Sequence, residues 1–338
     1  MVIYIREGDN MIRLGVIYGG ISTEHDVSMM SAKSVIDNLD KEKYEIHEIY
    51  INEYGKWFEN GEEIYNLIWK LKELDVVFPV LHGVGGEDGT IQGMLEMLKV
   101  PYVGCGVLAS SVGMDKVYTK IVFEKAGIPQ APYIYIKRTD DGYVIINENF
   151  EEEEFQLEKI TSKLKYPMFV KPSNSGSSVG VKKATSDQEL KMAIENAAQF
   201  DTKILIEQGI DGKEVECAIL DGREVTASTV GEIMSAEDFY SFDAKYNIPE
   251  SKTVIPAEIT EEQIEEIRKL AVRAFKAIDG KGLSRVDFFV EKETAKIYIN
   301  EINTMPGFTK ISMYPKLFEA VGVSYSELLD KLIQNAIK

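Results

Sequence analysis

Apolar positions along this chain follow two rhythms, and each change of rhythm marks an element. Short β-type runs at Ile12 to Tyr18, Glu45 to Ile51 and Asp75 to Leu81 alternate with helices expected over Met29 to Leu39 and Glu62 to Leu74. Repeated strand, turn and helix open a doubly wound domain, whose pattern closes near Tyr102-Val103-Gly104. A helix then starts at Met114-Asp115-Lys116 and runs through Lys125. β-rich runs follow at Tyr166 to Pro172, Val181 to Ala184, Lys203 to Ile210 and after Asp211, before an amphipathic helix at Ile259 to Ile278. The acidic run Glu148 to Glu154 reads as a solvated connector or helix start.

The most informative stretch lies near the end. Two β-type runs flank the polar turn Glu291 to Lys296, which predicts an antiparallel hairpin. Side chains alternate faces along a strand, so Glu301 and Asn303 share one side, as do Arg285 and Asp287. All four converge if the register sets 287 opposite 301 and 285 opposite 303; a slip of one residue scatters them. Two carboxylates and a carboxamide suit a hard cation such as Mg²⁺, which completes its shell with water and phosphates. The alternative is a surface hairpin with solvated charges. Past the turn at Pro306-Gly307, Thr309 and Ser312 offer hydroxyls beside backbone N–H groups, a seat for a carboxylate.

Three glycine-rich segments carry further chemistry. Gly19-Gly20 ends the first strand, and Glu24 follows where doubly wound folds bind ligands, although a carboxylate at a helix N-terminus is also favoured by the dipole alone. The GxGxxG spacing of a nicotinamide site is missing. His82 leads into Gly83, Gly85, Gly86 and Gly89, either as a substrate contact or as a structural histidine. Lys171-Pro172 ends a strand and feeds Ser173 to Gly180, small residues whose N–H groups can approach an anion. Because β-type sequence follows, this loop reads as a hairpin flap over phosphates, not a Walker motif; a flexible Gly/Ser linker is the other reading. Glu207 and Glu214 bracket a hinge that suits adenine and ribose, or an ordinary acidic turn. The broken aromatic stretch within Glu237 to Pro256, with Lys245, suits a closing lid.

Charge narrows the partners. With 56 acidic against 38 basic residues in 338, and a formal charge of -18, neither nucleic acid nor an anionic membrane is expected. A phosphate-bearing substrate then needs a metal and individually placed Lys and Arg. Cys105 and Cys217 match no zinc or disulfide spacing and fit a reducing compartment. No signal peptide or membrane span is evident, and residues 1 to 10 read as a loose extension.

Taken in order, Gly-Gly-x-Ser-x-Glu at 19 to 24, His-Gly-x-x-Gly-Glu-Asp-Gly at 82 to 89, Lys-Pro-Ser at 171 to 173, Gly-Ser-Ser-Val-Gly at 176 to 180, Ala-Lys-Tyr at 244 to 246 and Asn-Glu-Ile-Asn-Thr-Met-Pro-Gly at 300 to 307 form a distinctive set. From about Ile12 onward the chain resembles the ATP-grasp enzymes and, within them, the bacterial D-alanine–D-alanine ligases. The resemblance implies an α/β (α+β) fold of three domains: a Rossmann-like domain at 1–115, a central ATP-grasp subdomain with the flap at 116–212, and a C-terminal one with lid and metal site at 213–338. It implies ATP and two Mg²⁺ or Mn²⁺ as cofactors, D-alanine as substrate, a cytoplasmic homodimer, and a role in cell-wall peptidoglycan synthesis. Lys116, Lys171 and Ser178 would hold the nucleotide phosphates, Glu207 the adenine amino group, Glu214 the ribose and Lys245 the γ-phosphate. Asp287, Glu301 and Asn303 would bind the metals. Glu24 would take the ammonium of the first D-alanine, with His82 near its carboxylate. Arg285, the Gly307 N–H and Ser312 would surround the reacting carbonyl and the second D-alanine's carboxylate. Glu24, Ser177 and Tyr246 would form a hydrogen-bonded triad. Relatives often have Tyr at Phe242 and Ser at Met305, so hydroxyl contacts there are not carried over. Ligation to D-lactate or D-serine, or an ATP-binding regulator without turnover, are the alternatives on this scaffold.

Overall fold

The computed structural model describes residues 11–234 and 252–338, which build three sheets flanked by helices. The first contains β1 (Ile12–Gly19), β2 (Tyr44–Ile51), β3 (Trp57–Glu59), β4 (Glu62–Glu63) and β5 (Val76–Pro79) in the order β4-β3-β2-β1-β5. β1 lies parallel to both β2 and β5, as the alternation of strand and helix predicts. Two boundaries differ from the pattern. The helix expected from Glu62 begins only at Leu67, as α2 (Leu67–Glu73), because Asn60 and Gly61 take positive φ and fold Glu62 and Glu63 back onto Glu59 and Phe58. Asn66 then caps α2 by accepting the Trp69 N–H. The helix expected from Met29 starts earlier, as α1 (His25–Asn38). Its sheet-facing side carries Ser28, Ser31 and Ser34 among Val27, Ala32 and Val35, so it is small and buried but not apolar. The Ser28 hydroxyl accepts the Gly19 N–H and donates to the Val80 carbonyl, pinning the helix to the sheet.

Three helices lead out of this sheet: α3 (Thr90–Leu98), α4 (Val107–Met114) and α5 (Lys116–Lys125). The second sheet is antiparallel and six-stranded, with β6 (Tyr133–Thr139), β7 (Gly142–Ile146), β8 (Glu152–Glu154), β9 (Met168–Pro172), β10 (Lys182–Ala184) and β11 (Lys203–Gln208) ordered β10-β9-β11-β6-β7-β8. The acidic run is not a helix start: residues 148–151 form the exposed turn that connects β7 to β8, and Glu152 to Glu154 are an edge strand paired with Ile146 to Val144, where charged side chains face water. Helices α6 (Leu157–Thr161) and α7 (Asp187–Ala197) cover this sheet.

The third sheet runs β14-β13-β12-β15-β16, from β12 (Gly212–Leu220), β13 (Thr226–Met234), β14 (Lys252–Val254), β15 (Leu283–Glu291) and β16 (Ile297–Asn303). Helix α8 (Glu261–Ala277) starts with a capping box of Thr260 and Gln263. The chain ends in α9 (Met313–Glu319) and α10 (Tyr325–Ile337). The hairpin register is the one its charges require: Arg285 faces Asn303 and Asp287 faces Glu301, with a bulge immediately after Asp287.

Burial divides the molecule unevenly. Leu14, Val16 and Phe78 of the first sheet share one apolar core with Leu283 of the third, and with Phe308, Tyr314 and Leu328 near the chain's end. The second sheet has a core of its own, built from residues between Ile134 and Ile206. Phe123 of α5 and the adjoining Ile128 are buried with the third sheet and α8.

Candidate active site

Where the three sheets meet lies a cavity of about 830 Å³, lined among others by Glu24, Lys116, Lys171, Glu214, Arg285 and Ser312. Lys245 and Tyr246 lie outside the described residues, with most of the expected lid and residues 1–10.

One end of the cavity belongs to Glu24. It is 7 % exposed and accepts a short hydrogen bond from the Ser177 hydroxyl across from the flap. Gly83 sits against the same carboxylate with φ at +72°; a Cβ there would come within 2.5 Å of Glu24 Oε2, so side chain and backbone both demand glycine. His82 is buried, with both nitrogens engaged: Nδ1 faces the Met305 carbonyl at 3.1 Å and Nε2 faces the Ser31 hydroxyl at 2.9 Å. Ser31 also accepts the Phe308 N–H. A neutral ring with hydrogen on Nδ1 satisfies the chain, in keeping with a pKa that burial lowers. His82 therefore steadies the 305–308 turn from behind.

Glu87, four residues into the same loop, grips that turn too, accepting the Met305 N–H at 3.4 Å and the Gly83 N–H at 2.9 Å. Burial and the charge of Glu24 push its pKa up to about 8. A carboxyl that holds its proton more tightly folded than unfolded lets stability fall as pH rises from the usual Glu range toward 8. Glu87→Gln, which mimics the protonated form, is expected to raise the melting temperature at pH 8 while changing it little at pH 5. Melting curves at the two pH values check this; equal shifts at both would place a charged Glu87 in the fold.

Arg285 is the electrostatic centre of the hairpin. Its Nε and NH2 each donate to Asp287 at 2.7 Å, and Nε lies 3.1 Å from Glu216, which faces Asp287 across the β12–β15 pairing. Burial opposes the guanidinium's charge, but Asp287 and Glu216 outweigh it and raise its pKa. Asn303 Nδ2 donates to Asp287 at 3.0 Å, and Glu301 Oε2 lies 3.9 Å from the Lys116 ammonium. Two carboxylates and one carboxamide on one face of a hairpin are a donor set that fits a hard divalent cation whose remaining positions go to phosphate and water. Beyond the turn, the Ser312 hydroxyl accepts the Thr309 N–H at 2.9 Å and lies so near Gly307 that a Cβ there would approach it to 2.8 Å.

Lys171 Nζ lies 2.5 Å from Glu207 and 3.4 Å from Asn300 Oδ1, on the same strand as Glu301. The second oxygen of Glu207 meets Lys120 at 2.6 Å. Burial alone would raise the carboxyl's pKa, but the two ammonium groups hold it at about 2. Lys116 donates to the Ser175 carbonyl at 2.6 Å, which ties it to the flap; Ser178 and Glu214 also line the cavity. Asp115 anchors the flap's base by capping α5, accepting from Ser173 and pairing with Lys203.

Two family models match in sequence: "D-ala D-ala ligase N-terminus" over residues 13–70 and 66–105, and "D-ala D-ala ligase C-terminus" over residues 122–334. The chain belongs to the D-alanine–D-alanine ligase family. A relative named D-alanine--D-alanine ligase, from Acetivibrio thermocellus, is 50 % identical over 368 aligned positions covering 96 % of each chain. Among solved structures, the VanG D-Ala:D-Ser ligase from Enterococcus faecalis superposes with a TM-score of 0.83 at 35 % identity, over 97 % of this chain and 100 % of that one. The D-alanine-D-alanine ligase from Coxiella burnetii gives 0.80 at 33 % identity, over 97 % and 94 %.

Within that family frame, the motif residues expected at the site and described by the structure do line or adjoin one cavity. Lys120, Glu87 and Glu216 were not singled out from the sequence. Glu87 stood inside a recognised motif; Glu216 sat on the same strand face as Glu214, a signal available from alternation alone.

Proposed function

We propose that the cavity carries the ATP-dependent joining of two D-alanine molecules to D-alanyl-D-alanine through an acyl phosphate, with Glu24 and Arg285 as its two poles. The observation that carries this reading is the placement of Glu24 and Arg285 on one cavity, beside lysines that face a phosphate flap. A carboxylate is a poor acyl donor because oxide would have to leave, so it is first phosphorylated. The first D-alanine is held by its ammonium on Glu24, and its carboxylate oxygen attacks the γ-phosphorus of ATP as the bond to the β-phosphate oxygen breaks, releasing ADP. Lys116, Lys171, Ser178 and flap N–H groups hold the phosphates, Glu207 and Glu214 the base and ribose, and Lys245 the γ-phosphoryl group. Two Mg²⁺ or Mn²⁺ on Asp287, Glu301 and Asn303 would supply neutralisation of the phosphate charge. The second D-alanine, its carboxylate seated at Ser312, attacks the acyl carbon as a free amine. Arg285 and the Gly307 N–H stabilise the tetrahedral oxyanion, and inorganic phosphate leaves as the amine sheds its proton. Tyr246 would join Glu24 and Ser177 to close the site against water. We read the three sheets as domains divided at 115/116 and 212/213, the chain as a homodimer, and its place as the cytoplasm; among the described residues no helix is long and apolar enough to cross a membrane.

A second reading is favoured by one likeness: the VanG structure is that of a D-Ala:D-Ser ligase. Product analysis with ATP, D-alanine and equal D-serine or D-lactate separates them. D-alanyl-D-alanine is expected to dominate at pH 7 and above; mainly the mixed dipeptide or depsipeptide would replace this reading with the other.

A further inference from the structure

Lys120 is 3 % exposed, on the side of α5 turned toward β11, and has no place on the large cavity. It shares with Lys171, Glu207, Asn300 and Glu301 a small void behind it. The Glu207 carboxylate is divided between two ammonium groups, Oε1 with Lys120 at 2.6 Å and Oε2 with Lys171 at 2.5 Å. The two lysines are not equivalent. Lys171 lines the large cavity and so faces both Glu207 and any ligand there. Lys120 faces inward, over the Tyr133 ring at 5.3 Å.

This asymmetry has an electrostatic meaning. With a phosphate in the cavity, the Lys171 ammonium turns its charge toward it and its pairing with Glu207 weakens. A buried carboxylate left alone is heavily penalised. With Lys120 in place, Glu207 keeps a full counter-charge and Lys171 is free to turn. Without Lys120, every phosphate that draws on Lys171 does so against Glu207.

We propose that Lys120 is a positioning residue for nucleotide phosphate: it holds the charge of Glu207 so that Lys171 can exchange that carboxylate for the phosphate. The inference rests on the reading of Lys171 as a phosphate ligand and adds a residue that touches no substrate.

Titration calorimetry on the full chain with ADP and with adenosine tests it. Lys120→Met is expected to weaken ADP binding by about tenfold or more, the effect of a charge-assisted contact, and to leave adenosine and the KM for D-alanine within about twofold. Lys120→Arg, which keeps the charge, is expected to restore ADP binding. In a Glu207→Gln background the carboxylate that competes for Lys171 is gone, so adding Lys120→Met there is expected to leave ADP affinity within about twofold. That comparison stands even if Lys120→Met alone fails to fold. Equal weakening of ADP and adenosine by Lys120→Met would overturn the proposal, because Lys120 would then be orienting Glu207 for the base. A tenfold loss of ADP affinity persisting in the Glu207→Gln background would overturn it as well. Lys171→Met measured alongside separates the two levels: unchanged ADP affinity there would overturn the reading of Lys171 and the proposal with it, whereas a loss there with none in Lys120→Met would overturn the coupling to Lys120 alone.

Discussion

Replacing Arg285 by leucine is expected to lower kcat/KM by more than ~10²-fold and to destabilise the fold by about 3–5 kcal/mol. Both effects have one origin. The guanidinium donates twice to Asp287 and neighbours Glu216, and all three side chains are largely buried. Leucine would leave two carboxylates facing each other across the β12–β15 pairing without a counter-charge. It would also remove the cation proposed to meet the oxyanion. Arg285→Lys separates the roles, since an ammonium restores charge but not the fork of donors. It is expected to recover most of the stability while activity stays at least ~10-fold down. Urea unfolding and ADP release measure the two quantities. An Arg285→Leu protein that melts like the parent would show that Asp287 and Glu216 do not depend on the guanidinium.

The second large effect belongs to Glu24→Gln. If Glu24 holds an ammonium, the amide keeps the shape but loses a charge-assisted contact worth about 1.5–3 kcal/mol, which is roughly 10- to 150-fold in the KM of the first D-alanine. The KM for ATP is expected to change little, because Glu24 contacts Gly83 and Ser177 and shares no contact with Glu207 or its two lysines. Steady-state kinetics with each substrate varied in turn gives both values. Parallel rises in the two would assign Glu24 to holding the flap through Ser177.

What the sequence made legible is chiefly what repeats along a strand. Arg285, Asp287, Glu301 and Asn303 alternate with apolar residues, so the hairpin and the shared faces were legible from pattern, while the register that brings the four together and the bulge after Asp287 come only from the structure. Glycines were legible for a related reason, as Gly83 shows. Helix boundaries were less so. A serine-rich face on α1 hides its burial from a hydropathy reading, and two glutamates look helical until the Asn60-Gly61 turn folds them into β4. Lys120 was the least visible. Spaced one helical turn after Lys116, it resembles a solvated charge, and its burial comes from a strand more than 80 positions away.

The separate core of the second sheet has an energetic consequence for each catalytic cycle. First and third sheets share apolar area, and prising them apart would expose it to water at about 25 cal/mol per Å². The second sheet's apolar core is separate from theirs, and polar pairs cross to it: Ser177 with Glu24, Lys116 with Ser175, Lys203 with Asp115, Lys171 with Asn300. Opening exchanges each of these partners for water, so a neutral pair gives up only about 0.5–1.5 kcal/mol net and a charged one about 1.5–3 kcal/mol. Admitting substrate by tilting that sheet would thus leave every hydrophobic interior closed, and the fold need not be remade between turnovers.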